Sequence, residues 1–314
     1  MCNQQNRIWC LIVVMSGGCL TGCATTAFDK LAMNDDLPVV RGNLDCDDSC
    51  DSTSAVDLER GKRRPIVDGV GWVVGIPKKI ILWDSRAENH RISFYTQHEL
   101  VSYMERNHLH DTKVRVNQYD PIGEWKRLAS NKKVGPGWRL TLGTLHTLGY
   151  TILPGRIFGN DSYNPYTDTV NIYSDIPALA LEQAAFAKDV RQRSYPGTYA
   201  AVQELPVVGL WHEHRNKQDV YNYYGFYGEA SDQREARHIL EPQFGSEIGQ
   251  QIDGVLGPAG GPPLFQLTGA AVGHVVGRVK GAKVPVEQYE ERREQHSEEL
   301  PLVAPASAVL TNSR

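Results

Sequence analysis

Hydrophobic and polar positions recur at regular intervals along most of the chain after residue 65, and the interval changes from segment to segment. Residues 112–119, TKVRVNQY, set Val114 and Val116 against Arg115 and Asn117, and residues 168–174 set Val170 and Ile172 against Asn171 and Tyr173. A period of two sends successive side chains to opposite faces, so both segments predict strands, the second with one face in the core. The apolar, β-branched run KKIILWD (78–84) reads as a further strand. Leu100, Val101, Tyr103 and Met104 recur at helical spacing, and Pro121 opens a second helical stretch through Trp125 and Leu128. Gly135-Pro136-Gly137 breaks the pattern, and the apolar segment that follows ends in the turn residues Gly159-Asn160-Asp161.

The strand at 168–174 runs directly into a helix, SDIPALALEQAAFAKD, in which Ser174 or Asp175 can cap and Pro177 suits the first turn. LPVVGLWHEHRNKQDVYNYY (205–224) also favours a helix, as does SDQREARHILEPQFGSEIGQQID (231–253), capped by Ser231 or Asp232 and interrupted at Pro242. Between Leu264 and Val279, Gly269, Gly273 and Gly277 stand four apart, a spacing that lets a helix approach a neighbour closely. Gln266, Thr268, His274 and Arg278 interrupt that run, which falls short of the ~20 residues of a membrane span, so a short packed helix is expected. These elements define an α+β fold with a small mixed sheet and a mostly helical C-terminal half. Residues 65–284 form the body, and 285–314 a charged helix with a loose tail.

Composition adds one exclusion. With 314 residues, 41% of them hydrophobic, the chain can bury a full core, and a net charge of -4 offers no broad basic field. The lone basic run, Lys62-Arg63-Arg64, does not suggest a nucleic-acid partner.

The N-terminus carries a targeting pattern. Arg7, the apolar run Ile8 to Met15 and the small residues before Cys23 have the layout of a secretory signal. Leu20-Thr21-Gly22-Cys23 resembles the lipobox of bacterial lipoproteins, which implies cleavage of residues 1–22, acylation of Cys23 and residence in the cell envelope, facing the periplasm. Cys46 and Cys50 then remain as an even pair, expected to close a small disulfide loop or to stay as two idle thiols, the alternative being a thiophilic metal held with the flanking aspartates and ligands from elsewhere. Residues 23–64 are polar, acidic and low in aromatics, the composition of a disordered tether.

Glu182 and Phe186, four apart, share a face of the helix after the strand, with Gln183 one step round. NQYDPIGEW (117–125), LPGRIFGNDSYNPYTDTVNIYSDIPALAL (153–181) and AKD (187–189) give residues 70–280 a likeness to exported metallopeptidase-like bacterial proteins of the zincin type. Such enzymes carry His-Glu-x-x-His on this helix: two imidazoles hold zinc and the glutamate activates its water. In that frame the positions read Glu182, Gln183 and Phe186. A carboxylate can bind zinc, but a phenyl ring has no lone pair and a carboxamide is no base. The resemblance also implies a third ligand on a following helix, matched here by Glu213, and a substrate lying along the strand 168–174.

His212, Glu213 and His214 are the best alternative metal set, together with Glu182. Neighbours on a helix point about 100° apart, however, so the two histidines would converge only on a strand. His90, His98, His108, His110, His146, His238 and His274 form no recognisable set, and no serine elbow, phosphate loop or paired cysteine nucleophile is visible. The expectation is therefore a lipid-anchored envelope protein with a degenerate, inactive metallopeptidase-like body and no cofactor, which binds a peptide, protein or wall component. The alternatives are a zinc hydrolase with a rebuilt site and a purely structural lipoprotein.

Overall fold

Strand β1 (Leu58–Arg60) opens the described part of the computed structural model, which covers residues 56–205, 207–256, 262–286 and 289. Cys23, Cys46, Cys50 and nearly all of the charged C-terminal segment lie outside the described residues. Helices α1 (Pro65–Val74), α2 (Ile76–Leu82) and α3 (Phe94–Arg106) lead to β2 (Lys113–Val116) and α4 (Pro121–Ser130). A helical turn at Pro136–Trp138 widens into a π turn at Arg139–Gly143 and continues as α5 (Thr144–Ile152), followed by the single-turn α6 (Gly155–Phe158). Then come β3 (Ser162–Asn164), β4 (Thr169–Ile172), α7 (Pro177–Arg191), α8 (Pro196–Gln203), α9 (Val208–Tyr227), α10 (Ala230–Leu256) and α11 (Leu264–Ala282). The fold is α+β; among the described residues the strands lie between Leu58 and Ile172 and only helices follow.

The sheet order is β1-β2-β4-β3, with the first three strands parallel and β3 antiparallel to β4. Val114 pairs with Val170 and Val116 with Ile172, all four buried. Helix α7 lies at the centre of the molecule: twelve of its fifteen residues are buried, and it packs on α3, α9, α10, β3 and β4. Its alanines make that possible, since a short side chain lets neighbours close in on every side.

The structure corrects several expectations. KKIILWD is helical over Ile76–Leu82, not extended. Pro77 suits a first helical turn, and a run this short carries no periodicity able to separate the two states. Residues 58–60, placed by composition in the tether, pair with β2. Strand β4 is buried on both faces, Asn171 and Tyr173 included, because helices cover the sheet on each side. Helix α7 begins without a side-chain cap. Asp175 instead accepts from Ser93 N at 2.8 Å, Ser93 Oγ at 2.7 Å and Thr96 Oγ1 at 2.7 Å, tying down the start of α3.

Pro242 does not interrupt α10, nor does Ser231 or Asp232 precede its first turn. The proline removes one backbone hydrogen bond, but α11 packs along the same helix and holds it. A Cβ on Gly269 would stand 1.9 Å from Gly245 O, one on Gly249 1.9 Å from Phe265 O, and one on Gly273 2.5 Å from Pro242 Cα. Only glycine permits that backbone-to-backbone approach, which realises the close helix contact expected from the spacing of Gly269, Gly273 and Gly277. Among the described residues no helix is long and apolar enough to cross a membrane.

Candidate functional site

The burial of α7 decides what its chemistry-bearing positions can reach. Gln183 Oε1 accepts from Tyr163 N of β3 at 3.1 Å. Phe186 meets the ring of the same tyrosine edge-on, with centroids 5.0 Å apart. Tyr163 is itself fixed, its hydroxyl donating to Asp168 Oδ1 at 3.0 Å. Gln183 and Phe186 are thus both engaged by one strand residue, Tyr163.

Glu182 faces away from that strand, toward α9 and α10. Its Oε2 accepts from Gln243 Nε2 at 2.8 Å. Glu213 of α9 and Glu247 of α10 complete a group of three carboxyls, exposed by only 6%, 6% and 7%. Glu213 and Glu247 approach closely enough to act on one another, and Glu213 lies within electrostatic reach of Glu182. Burial, and then the charge of Glu247, pushes Glu182 up to about 8. The same two causes in the same order raise Glu213 well above the usual carboxyl range. Burial also raises Glu247, against the hydrogen bonds from Glu213 and Gln243. Lys217 and Lys78 act on the group only from a distance.

The alternative set of Glu182, His212, Glu213 and His214 is split by the helix, and only Glu213 joins Glu182. His212 turns toward Tyr199, its Nδ1 lying 3.2 Å from the hydroxyl. Burial, aided by Arg215 and Arg193, lowers it to about 4 and keeps the imidazole neutral near pH 7. His214 packs against Phe244, ring centroids 5.8 Å apart. Among the described residues no group of three or more His, Cys, Asp or Glu is arranged to hold a metal ion.

A cavity of about 290 Å³ opens beside the carboxyl group. Glu247, Ser246 and the carboxamides of Gln183, Gln243, Gln250 and Gln266 form one side, and Lys78, Glu88, Asn160 and Asp161 the other. Val74, Pro77, Ile81 and Phe158 supply apolar surface. Burial would strip Lys78 of its proton, yet Asp161 at 3.4 Å and Glu88 at 3.6 Å hold its pKa above the ordinary value. Asp161 is locked in turn by Tyr173 N at 2.6 Å and Ser174 N at 2.9 Å. Gln250, Gln266 and Ser246 bring groups that both donate and accept to the lining, and Glu247, Glu88, Asp161 and Lys78 bring ionisable ones.

The sequence reading did not find Glu247, Gln243, Lys78, Glu88 or Asp161. A signal existed for the first two: Gln243, Glu247 and Gln250 stand at i, i+4 and i+7, one helix face, provided the helix is carried through Pro242. Strand 168–174 cannot receive a peptide by edge addition, because β4 is paired on both sides by β2 and β3. Comparison with known protein families, with curated proteins and with solved structures finds no match in any of the three.

Proposed function

We propose that this chain is a lipid-anchored cell-envelope protein whose body binds, without hydrolysing, an uncharged polar ligand of the peptide or cell-wall class in the cavity between α2, α7, α10 and α11. The observation that carries this reading is the engagement of both Gln183 and Phe186 by Tyr163. Neither can serve a metal-bound water, and the carboxamides of Gln243, Gln250 and Gln266 line the same cavity, which supports recognition over hydrolysis. The anchor is Cys23, acylated after removal of residues 1–22.

Two measurements test the reading. Titration calorimetry of the purified chain with soluble wall fragments and short peptides is expected to show binding that Gln243→Leu together with Gln250→Leu weakens about tenfold or more, since each lost hydrogen bond to an uncharged group is worth about 1 kcal/mol. Stoichiometric zinc in the purified protein, with peptidase activity abolished by Glu213→Ala, would overturn it. Palmitate labelling lost on Cys23→Ser checks the anchor separately.

A further inference from the structure

Helix α1 is the first helix of the body, and it is clothed wrongly for water. Its buried residue is Gly71, seated against Arg156 O and the ring of His90. On the opposite side Ile66, Val70 and Val73 are 84%, 47% and 56% exposed, and no charged residue lies among them. Ile76 and Ile80 continue the exposed apolar surface on α2. Trp72 is also exposed, with Lys79 Nζ 5.1 Å from its ring centroid.

The chain immediately before this face is basic. Lys62, Arg63 and Arg64 are all exposed. The single carboxylate between Gly61 and Gly75, Asp68, is turned inward to Arg156 at 2.6 Å. Cations, an exposed tryptophan and an aliphatic stripe on one short helix are the elements of an interfacial segment, in which apolar side chains enter the acyl boundary and cations meet lipid phosphates. A two-fold dimer through the same face would offer Lys62, Arg63 and Arg64 no free carboxylate from residues 61–75 of the copy, since Asp68 is held by Arg156, which disfavours a second molecule as the occupant.

We infer that α1, with the Lys62-Arg63-Arg64 run before it, docks the folded body on an anionic bilayer surface. Docking orients the body and leaves the cavity ligand unspecified. Acylation at Cys23, part of the function proposed above, would raise the local concentration of membrane without being required for the contact.

The test uses the full chain carrying Cys23→Ser, so that loss of the lipid and loss of the face are read separately. Hydrogen–deuterium exchange is followed over residues 65–74 with vesicles of phosphatidylethanolamine and phosphatidylglycerol, and with vesicles of phosphatidylcholine alone. The expected result is slowed exchange over 65–74 on the anionic vesicles only, lost at high salt. Lys62→Ala/Arg63→Ala/Arg64→Ala, which leaves every helix intact, should weaken vesicle binding about tenfold or more. Ile66→Glu/Val70→Glu should abolish the protection. Unchanged exchange over 65–74 while the protein sediments with anionic vesicles would overturn the inference. So would protection that grows with protein concentration in the absence of lipid, which would make the face a contact between proteins.

Discussion

Glu241 and Glu247 stand six residues apart on α10, in opposite surroundings. Glu241 receives Lys217 Nζ at 3.0 Å, Lys280 Nζ at 3.0 Å and the Tyr221 hydroxyl at 3.3 Å. Despite burial, Lys217 and then Lys280 hold its pKa below the usual carboxyl value. Glu247 meets two further carboxyls and a carboxamide, and Glu213 Oε2 among them has no hydrogen-bond partner. One pair of helices therefore carries a satisfied ionic cluster beside a frustrated one. In the first, each carboxylate oxygen of Glu241 receives a cation, although burial still holds the Lys217 ammonium below its ordinary value. The second weakens the fold as pH rises, because burial and like charge raise its carboxyls, and it borders the cavity.

Breaking the satisfied cluster should have the largest effect. Glu241→Ala leaves Lys217, buried to 1% exposure of its side chain, without its carboxylate, and should cost about 3–5 kcal/mol in urea unfolding. Adding Lys217→Met to Glu241→Leu should recover most of the loss. A cost below about 1 kcal/mol for Glu241→Ala would remove the contrast with Glu247.

The frustrated cluster is sharpened by pH. Glu182, Glu213 and Glu247 bind protons more tightly folded than unfolded, so their contribution is full below about pH 4.3 and is lost as pH rises through the folded values, about 8 for Glu182. Histidines with lowered pKa, His212 foremost, act in the opposite direction but only below about pH 6.5, where the unfolded imidazole charges. Between about pH 6.5 and 8 stability should therefore fall, by on the order of 2 kcal/mol. Glu213→Gln, whose amide can donate to Glu247 at any pH, should flatten that slope and raise the pH 8 melting temperature. A slope unchanged by the substitution would place the titrating groups elsewhere.

Much of the scaffold was legible because its signals are local. The two-residue period of β2, the helical spacing of α3 and the prolines opening α4 and α7 depend on neighbours in sequence. Failures came where distant packing decided. Residues 78–82 became helical, Asp175 braced the Ser93 cap of a helix 82 residues back in the chain, and Pro242 was carried through by the glycines of α11. The site followed the same division. The approach of Glu213 to Glu182 was expected if their helices packed, and the divergence of His212 and His214 was already implied by the helix expected over 205–224. Glu247 was hidden by the expected break at Pro242. Lys78 and Asp161, brought together from 83 residues apart, left no sequence pattern at all.

The smallest effect marks the boundary of the frustrated cluster. Gln183 follows Glu182 on α7 but looks toward β3, where its Oε1 accepts from Tyr163 N. Gln183→Glu puts a carboxylate oxygen in place of the amide oxygen, and a charged acceptor strengthens a hydrogen bond from a backbone amide. Gln183 is only half-buried, so desolvation is modest, and neither Glu213 nor Glu247 is bonded to it. Stability at pH 7 should change by no more than about 0.5 kcal/mol. The substitution supplies a carboxylate, yet Phe186 four residues on offers no lone pair to a metal, so peptidase activity should stay at the level of the unsubstituted chain. A loss above about 2 kcal/mol would mean that the new charge feels Glu182, Glu213 and Glu247 directly, and the cluster would then extend to the sheet.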